Sequence, residues 1–325
     1  MANPYLFIIG CPRSGTTLLQ RVVDAHPKVA ILPEAHWIYH VLMDPSVVIE
    51  NGTVSPGLIS ALLQHPKFAT LDITEEQLQR LIGEQPGLSY ASFVSRIFDL
   101  YWQTQGKEIV GNKTPGLVRR LDVLHALWPE ARIVHLIRDG RDVYLSMTNR
   151  RLYVSNPEAL GSSEDPVASA AVWWELNVEQ GRNARALFSA ERYFEVRFES
   201  LVNDPAEICA SLCTFLGVPY SEAMVKLYEK RKRKRAAQGV RPARDWRSQM
   251  TSRDVETFEA AAGRTLEKLV YARAFPRPAA ELVERFARSR NLMLEQAAYS
   301  AHLWVGRLDA AKGSVYPKTK SNTST

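Results

Sequence analysis

Eight residues, Gly10-Cys11-Pro12-Arg13-Ser14-Gly15-Thr16-Thr17, constrain this chain more than any other stretch, because of what stands on either side of them. The run Tyr5-Leu6-Phe7-Ile8-Ile9 before them is short, apolar and closed by a glycine, the pattern of a buried parallel strand. Leu18, Leu19, Val22 and Val23 after them fall on one face of a helix. Strand, glycine turn and helix in that order leave backbone N–H groups free at a helix N-terminus. Such a row binds an anion, most often a phosphate. The loop departs from the nucleotide-triphosphate pattern G-x-x-x-x-G-K-[ST], which needs a lysine directly after its second glycine. Thr16 holds that place, and the cation, Arg13, comes two residues before Gly15. From there it can brace a phosphate oxygen from the side of the loop.

The 325 residues suffice for one large α/β domain or two small ones. An apolar fraction of 46% and a charged fraction of 23% are ordinary for a soluble globular protein. No apolar stretch approaches the roughly 20 residues of a membrane span. The first strand begins at about residue 5, so no signal peptide and a cytoplasmic location are expected. Three cysteines without metal-type spacing argue against a disulfide framework; Cys209 and Cys213 lie four apart on an expected helix. The net charge of +6 suits an anionic ligand without identifying it.

Further strands are read at 29–32, 108–110, 132–137 and 193–197. Residues 36–106 read as a helical insertion over the sheet, with helices at 57–64, 74–82 and 90–103. Helices are also expected at 117–128, 142–151 and 166–189 and after Asp204-Pro205, with a polar loop at 153–165. Trp173 and Trp174 read as packing residues. The densest basic run, Lys230 to Arg235, reads as a solvated loop, with a flap over an anionic ligand as the alternative. Residues 278–308 look like appended helices and 313–325 like a disordered polar tail. The fold class is therefore α/β: a P-loop-type, mainly parallel sheet flanked by helices, with a helical insertion and extra C-terminal helices. Ligands of such sheets sit beyond the carboxyl ends of the strands, and the Gly10 loop, Glu34, Lys113 and Arg138 all fall there.

With those residues in view, the chain resembles the sulfotransferases that use 3'-phosphoadenosine 5'-phosphosulfate (PAPS), above all the tyrosylprotein branch and related bacterial enzymes. The similarity runs from about Phe7 to Tyr271. It rests on Cys11 to Leu19, Asp24-Ala-His-Pro27 with Glu34, Asn112-Lys113, Arg138 to Ser146 with Arg150, Arg197 to Val202, and Asp245-Trp-Arg247. It implies a sulfotransferase domain over 1–272, a C-terminal extension over 273–312 and a tail beyond. It also implies that Arg13, Ser14, Gly15, Thr16 and Thr17 hold the 5'-phosphosulfate, while Arg138, Ser146 and Arg150 clamp the 3'-phosphate. Ser146 and Arg150 are four apart on one helix and so share a face.

Sulfuryl transfer puts negative charge on the oxygen leaving sulfur, and Lys113 and Arg13 are the cations placed to stabilise it. The acceptor hydroxyl needs a base; Glu34 matches the glutamate of the tyrosylprotein branch, with His36 and His40 as nearby alternatives. Phe198, Trp246 and Arg247 are expected around the nucleotide, although Phe198 reads equally well as core. The sulfuryl group carries less charge than a terminal phosphoryl group, so no metal is expected. The implied products are a sulfated hydroxyl compound and 3',5'-ADP. No nucleic-acid or membrane partner is expected, and the appended helices offer a surface for a homodimer. A magnesium-dependent kinase, with Asp139 as metal ligand, and a non-catalytic polyanion binder are the competing readings. The acceptor stays open among a peptidyl tyrosine, a phenol, a small alcohol and a sugar.

Overall fold

Five apolar runs pair into one fully parallel sheet: β1 (Leu6–Ile9), β2 (Val29–Leu32), β5 (Ile109–Lys113), β6 (Arg132–Ile137) and β7 (Tyr193–Arg197) stand in the order β2-β5-β1-β6-β7. This is a computed structural model, and it describes residues 5–43, 49–50, 53–54, 56–83, 88–148, 165–238, 245–287 and 290–291. The strands alternate their side chains between two cores, as a sheet covered on both faces must. Phe7 and Ile9 join Trp37, Phe98 and Trp128 on one face. Leu6 and Ile8 join Leu19, Val22, Leu212 and Met224 on the other.

Helix α1 (Thr16–Asp24) leads from β1 towards β2. The insertion follows: α2 (Trp37–Met43), α3 (Pro56–Gln64), α4 (Glu75–Gly83) and α5 (Tyr90–Gln105). It is not purely helical, because Ile49–Glu50 (β3) and Thr53–Val54 (β4) pair antiparallel. Two residues per strand are too few to leave an alternating pattern that would mark them. After β5, the stretch expected as one helix is a 3-10 turn, Pro115–Arg119, followed by α6 (Leu121–Leu127). Then come α7 (Gly140–Thr148), α8 (Pro166–Leu187), α9 (Phe198–Asn203), α10 (Pro205–Leu216), α11 (Glu222–Ala237), α12 (Trp246–Gln249) and α13 (Ser252–Lys268). Trp173 and Trp174 are buried in α8, as their spacing suggests.

The basic run corrects the loop expectation: Lys230 to Arg235 continue helix α11. Met224 and Tyr228 bury the first half of that helix against α1, which anchors it. Cations near a helix C-terminus also complement its dipole, which offsets part of their mutual repulsion. His26 Nε2 lies 2.9 Å from the Pro219 carbonyl oxygen, so α11 starts beside the end of α1.

Of the appended helices, 280–287 is helical; Phe286 is buried and Arg290 Nε donates to buried Glu175 at 2.6 Å. The loop expected at 153–165 lies outside the described residues up to 164, as does the polar tail at 313–325. No described helix is long and apolar enough to cross a membrane.

Candidate active site

The carboxyl ends of β1, β2, β5 and β6 meet at the turn between β1 and α1. Gly10 opens that turn with φ +150°, and a Cβ there would stand 2.4 Å from the Leu136 carbonyl oxygen. Arg13 adopts φ 78° and Gly15 φ 104°. Left-handed backbone at a non-glycine residue is costly and tends to be kept where a loop has work to do. Gly15 is the N-cap of α1, and no side chain caps that helix. The first N–H groups of a helix have no intrahelical acceptor, so this end presents donors to an anion. Ser14 and Thr16 are buried in the turn, whereas Thr17 is exposed at its lip.

Glu34 reaches this turn because the chain after β2 is fastened to the end of β5. Asn112 Nδ2 donates to the Pro33 carbonyl at 2.8 Å, and Ala35 N donates to Thr114 Oγ1 at 2.7 Å. Asn112 and Thr114 are fully buried and bonded to each other at 2.8 Å. Glu34 therefore stands beside Lys113, whose Nζ donates to Glu34 Oε1 at 2.7 Å and lies 3.4 Å from Thr17 Oγ1. Lys113 is almost completely buried, and burial pushes its pKa below the usual lysine value, with Glu34 opposing. The Glu34 carboxyl falls to about 2, held there by the hydrogen bond to His36 and then by the hydrogen bond and charge of Lys113, against partial burial.

On the other side of the turn, Arg13 Nε donates to Ser146 Oγ at 3.3 Å. Arg138 directly follows β6, is 5% exposed and reaches Asp142 Oδ2 with one terminal nitrogen at 3.3 Å. Its Nε is buried without a hydrogen-bond partner among the described residues. A buried guanidinium with an unused donor is costly unless something fills the place. The guanidinium lies 4.3 Å over the Phe198 ring, and that ring abuts Gly15, where a Cβ would meet it at 2.5 Å. Phe198 is thus packed between the anion turn and Arg138. Asp142, which sequence pattern alone does not single out, ties the clamp to the late motif by also accepting from Trp246 N at 3.0 Å. Its i,i+4 spacing from Arg138 was the available signal. Burial raises the Asp142 carboxyl to about 6, with Arg138 opposing.

Trp246 is buried, with the Arg141 guanidinium 3.6 Å over its ring and the exposed Arg247 at 4.5 Å. Asp139 is bound by Arg141 through two bonds at 3.0 and 2.7 Å, and Arg141 also donates to Glu259 at 2.6 Å. Arg150 lies outside the described residues. Among the described residues, no group of three or more His, Cys, Asp or Glu could hold a metal ion. The site therefore brings together Arg13, the Ser14–Thr17 turn, Glu34 and Lys113, and sets Ser146, Arg138 and Phe198 beside them. Trp246 connects to it through Asp142, and Arg247 lies against the Trp246 ring. The uncapped helix end on one side and the Arg138 guanidinium on the other are two separated places with donors suited to anionic groups.

The profile described as "Sulfotransferase family" matches residues 4–222. "Protein-tyrosine sulfotransferase 1" of Danio rerio is 26% identical over 222 residues, which is 68% of this chain and 55% of that protein. "Nodulation protein NoeE" of Sinorhizobium fredii is 26% identical over 283 residues, 80% of this chain and 64% of its own length. The chain thus spans little more than half of the first of these relatives and just under two thirds of the second. Among solved structures, the sulfotransferase domain of the Synechococcus PCC 7002 olefin synthase superposes with a TM-score of 0.55 at 24% identity, covering 83% of this chain and 95% of that one. That likeness supports the fold.

Proposed function

The chain belongs to the sulfotransferase family, and from that premise we propose that it transfers a sulfuryl group from PAPS to an acceptor hydroxyl, releasing 3',5'-ADP. PAPS, when bound, supplies the sulfuryl group and a phosphate oxygen as its leaving group. The turn at 13–17 binds the 5' end through helix N-terminal N–H groups, hydroxyls and Arg13. Arg138 and Ser146 grip the 3'-phosphate, and Arg150 joins them on the spacing of the sequence alone. Phe198 forms the wall between the two grips, with Trp246 and Arg247 behind Asp142 at the nucleotide end.

Lys113 and Arg13 stabilise the charge that develops on the leaving oxygen, in a pocket where burial strengthens each charge. Glu34 takes the acceptor proton. One observation carries this reading: Lys113 and Glu34, the stabilising cation and the base, are in contact at 2.7 Å beside the uncapped helix end. In the free protein they neutralise each other. An anion in the turn competes for Lys113, and Glu34 then becomes a stronger base because it loses a neighbouring positive charge. Base strength thus appears when the donor is in place.

The acceptor is a hydroxyl compound, and the tyrosyl group in the zebrafish relative's name is one member of that class. The test is transfer of labelled sulfate from PAPS to a panel of phenols, alcohols, sugars and tyrosyl peptides. Labelled product should form with at least one class. Glu34→Gln should lower turnover by about 100-fold or more while leaving 3',5'-ADP affinity nearly intact. A variant with a near-normal rate removes Glu34 from the mechanism.

A further inference from the structure

We propose that His36 is the positioning residue of the base: its Nε2–H holds Glu34 Oε2, Tyr39 fixes the imidazole from the other side, and Oε1 is left as the oxygen that accepts the proton. This rests on the sulfuryl-transfer reading and says which atom of Glu34 does the chemistry.

The two carboxylate oxygens have different partners. Oε1 meets Lys113 Nζ at 2.7 Å, and Oε2 meets His36 Nε2 at 3.4 Å. His36 Nδ1 lies 2.5 Å from the Tyr39 hydroxyl. A neutral imidazole has one N–H and one acceptor nitrogen. A carboxylate only accepts, so Nε2 carries the hydrogen, and Nδ1 accepts from the Tyr39 hydroxyl. Protonating the ring leaves the Nε2–H in place and turns Nδ1 into a donor to the Tyr39 oxygen. The hold on Oε2 therefore persists whether or not His36 is charged.

The hold on Oε1 does not persist. Lys113 is the group drawn towards the leaving oxygen, and when it turns, Oε1 loses its partner while Oε2 stays tethered. A tethered carboxylate keeps one lone pair aimed at the acceptor, and fixed geometry of this kind is worth much of the rate in a bimolecular step. The hydrogen bond from His36 is also the largest single cause that holds the Glu34 carboxyl low in the free protein. The surrounding groups are Tyr39 and His40 from α2, His40 stacking on His36 with ring centroids 5.8 Å apart. His65 follows α3 and meets His40 at 3.2 Å. Lys113 comes from β5, and Lys67 and Arg21 act on it through space.

The test follows the Glu34 carboxyl by carbon-13 NMR in glutamate-labelled protein, free and with 3',5'-ADP, using Glu34→Gln to identify its resonance. His36→Ala should raise the titration midpoint by roughly one pH unit, and Tyr39→Phe should raise it less. His36→Gln, which places an amide N–H near the position of Nε2, should restore the low midpoint. An unchanged midpoint in His36→Ala overturns the proposal, as does a rise that His36→Gln leaves in place. Failure of 3',5'-ADP to bind the wild-type protein is a separate outcome: it counts against the sulfuryl-transfer reading, while the free-protein titration still decides the role of His36.

Discussion

His135 is a buried histidine whose neutral form the fold favours. It sits in the middle of β6, fully buried, with Nδ1 2.8 Å from the Tyr193 hydroxyl. Burial pulls its pKa down from 6.5 to about 4. A base whose folded pKa lies below its unfolded value contributes stability that is whole above pH 6.5 and lost as pH falls towards 4. The difference amounts to on the order of 3 kcal/mol. Urea titrations should therefore show stability dropping across that window, and His135→Gln should flatten the drop. An equally steep acid limb in the variant assigns the loss to other groups.

At the site, most single residues were legible in the sequence. Glu34 and Lys113 were, because each follows a strand end, and topology brings strand ends together. Arg138 was legible for the same reason. The partners that hold these residues were not. Thr114 holds Ala35 and Asp142 holds Trp246 N across long stretches of chain that no local pattern connects, while the short spacings of Asp142 to Arg138 and of Tyr39 to His36 are ones that any helix offers. Phe198 reads equally as stacking platform or filler until its ring is found against Gly15.

Among elements, the β1–turn–α1 unit carries the proposed anion site, and its geometry depends on Gly15. The left-handed φ of 104° and the Phe198 ring both exclude a side chain there. Gly15→Ala should cost about 1–2 kcal/mol from backbone strain alone, more if Phe198 is displaced. It should also abolish the thermal stabilisation that 3',5'-ADP gives. A variant that melts lower yet still binds 3',5'-ADP normally would detach the turn from ligand binding. The strands and long helices were readable because periodicity and turn residues mark them locally. The basic half of α11 was misread because charge repulsion argued for a loop, whereas Met224 and Tyr228 anchor the helix from one turn earlier. The hairpin of β3 and β4 left no trace, since two-residue strands have no period to detect.

For the molecule as a whole, the sheet order sets the start of α1, at the end of β1, beside the connection from the neighbouring β6 to α7, the two places proposed to bind the donor's phosphates. Their separation is a property of the fold, and under the proposed function it favours a ligand charged at two points. The acidic and basic residues left over, Asp139, Arg141, Glu259 and Arg273, form a buried network that joins α7 to α13 and the chain beyond it. That network holds Trp246 in place and, through Asp142, supports Arg138. The central claim is thus a claim about charge spacing, and a thermal-shift titration against 3',5'-ADP, 5'-AMP and ATP tests it most directly. Stabilisation by 3',5'-ADP at concentrations where 5'-AMP and ATP give little, lost in Arg138→Ala, is the result this account predicts. Equal stabilisation by all three nucleotides, or by ATP alone, contradicts it.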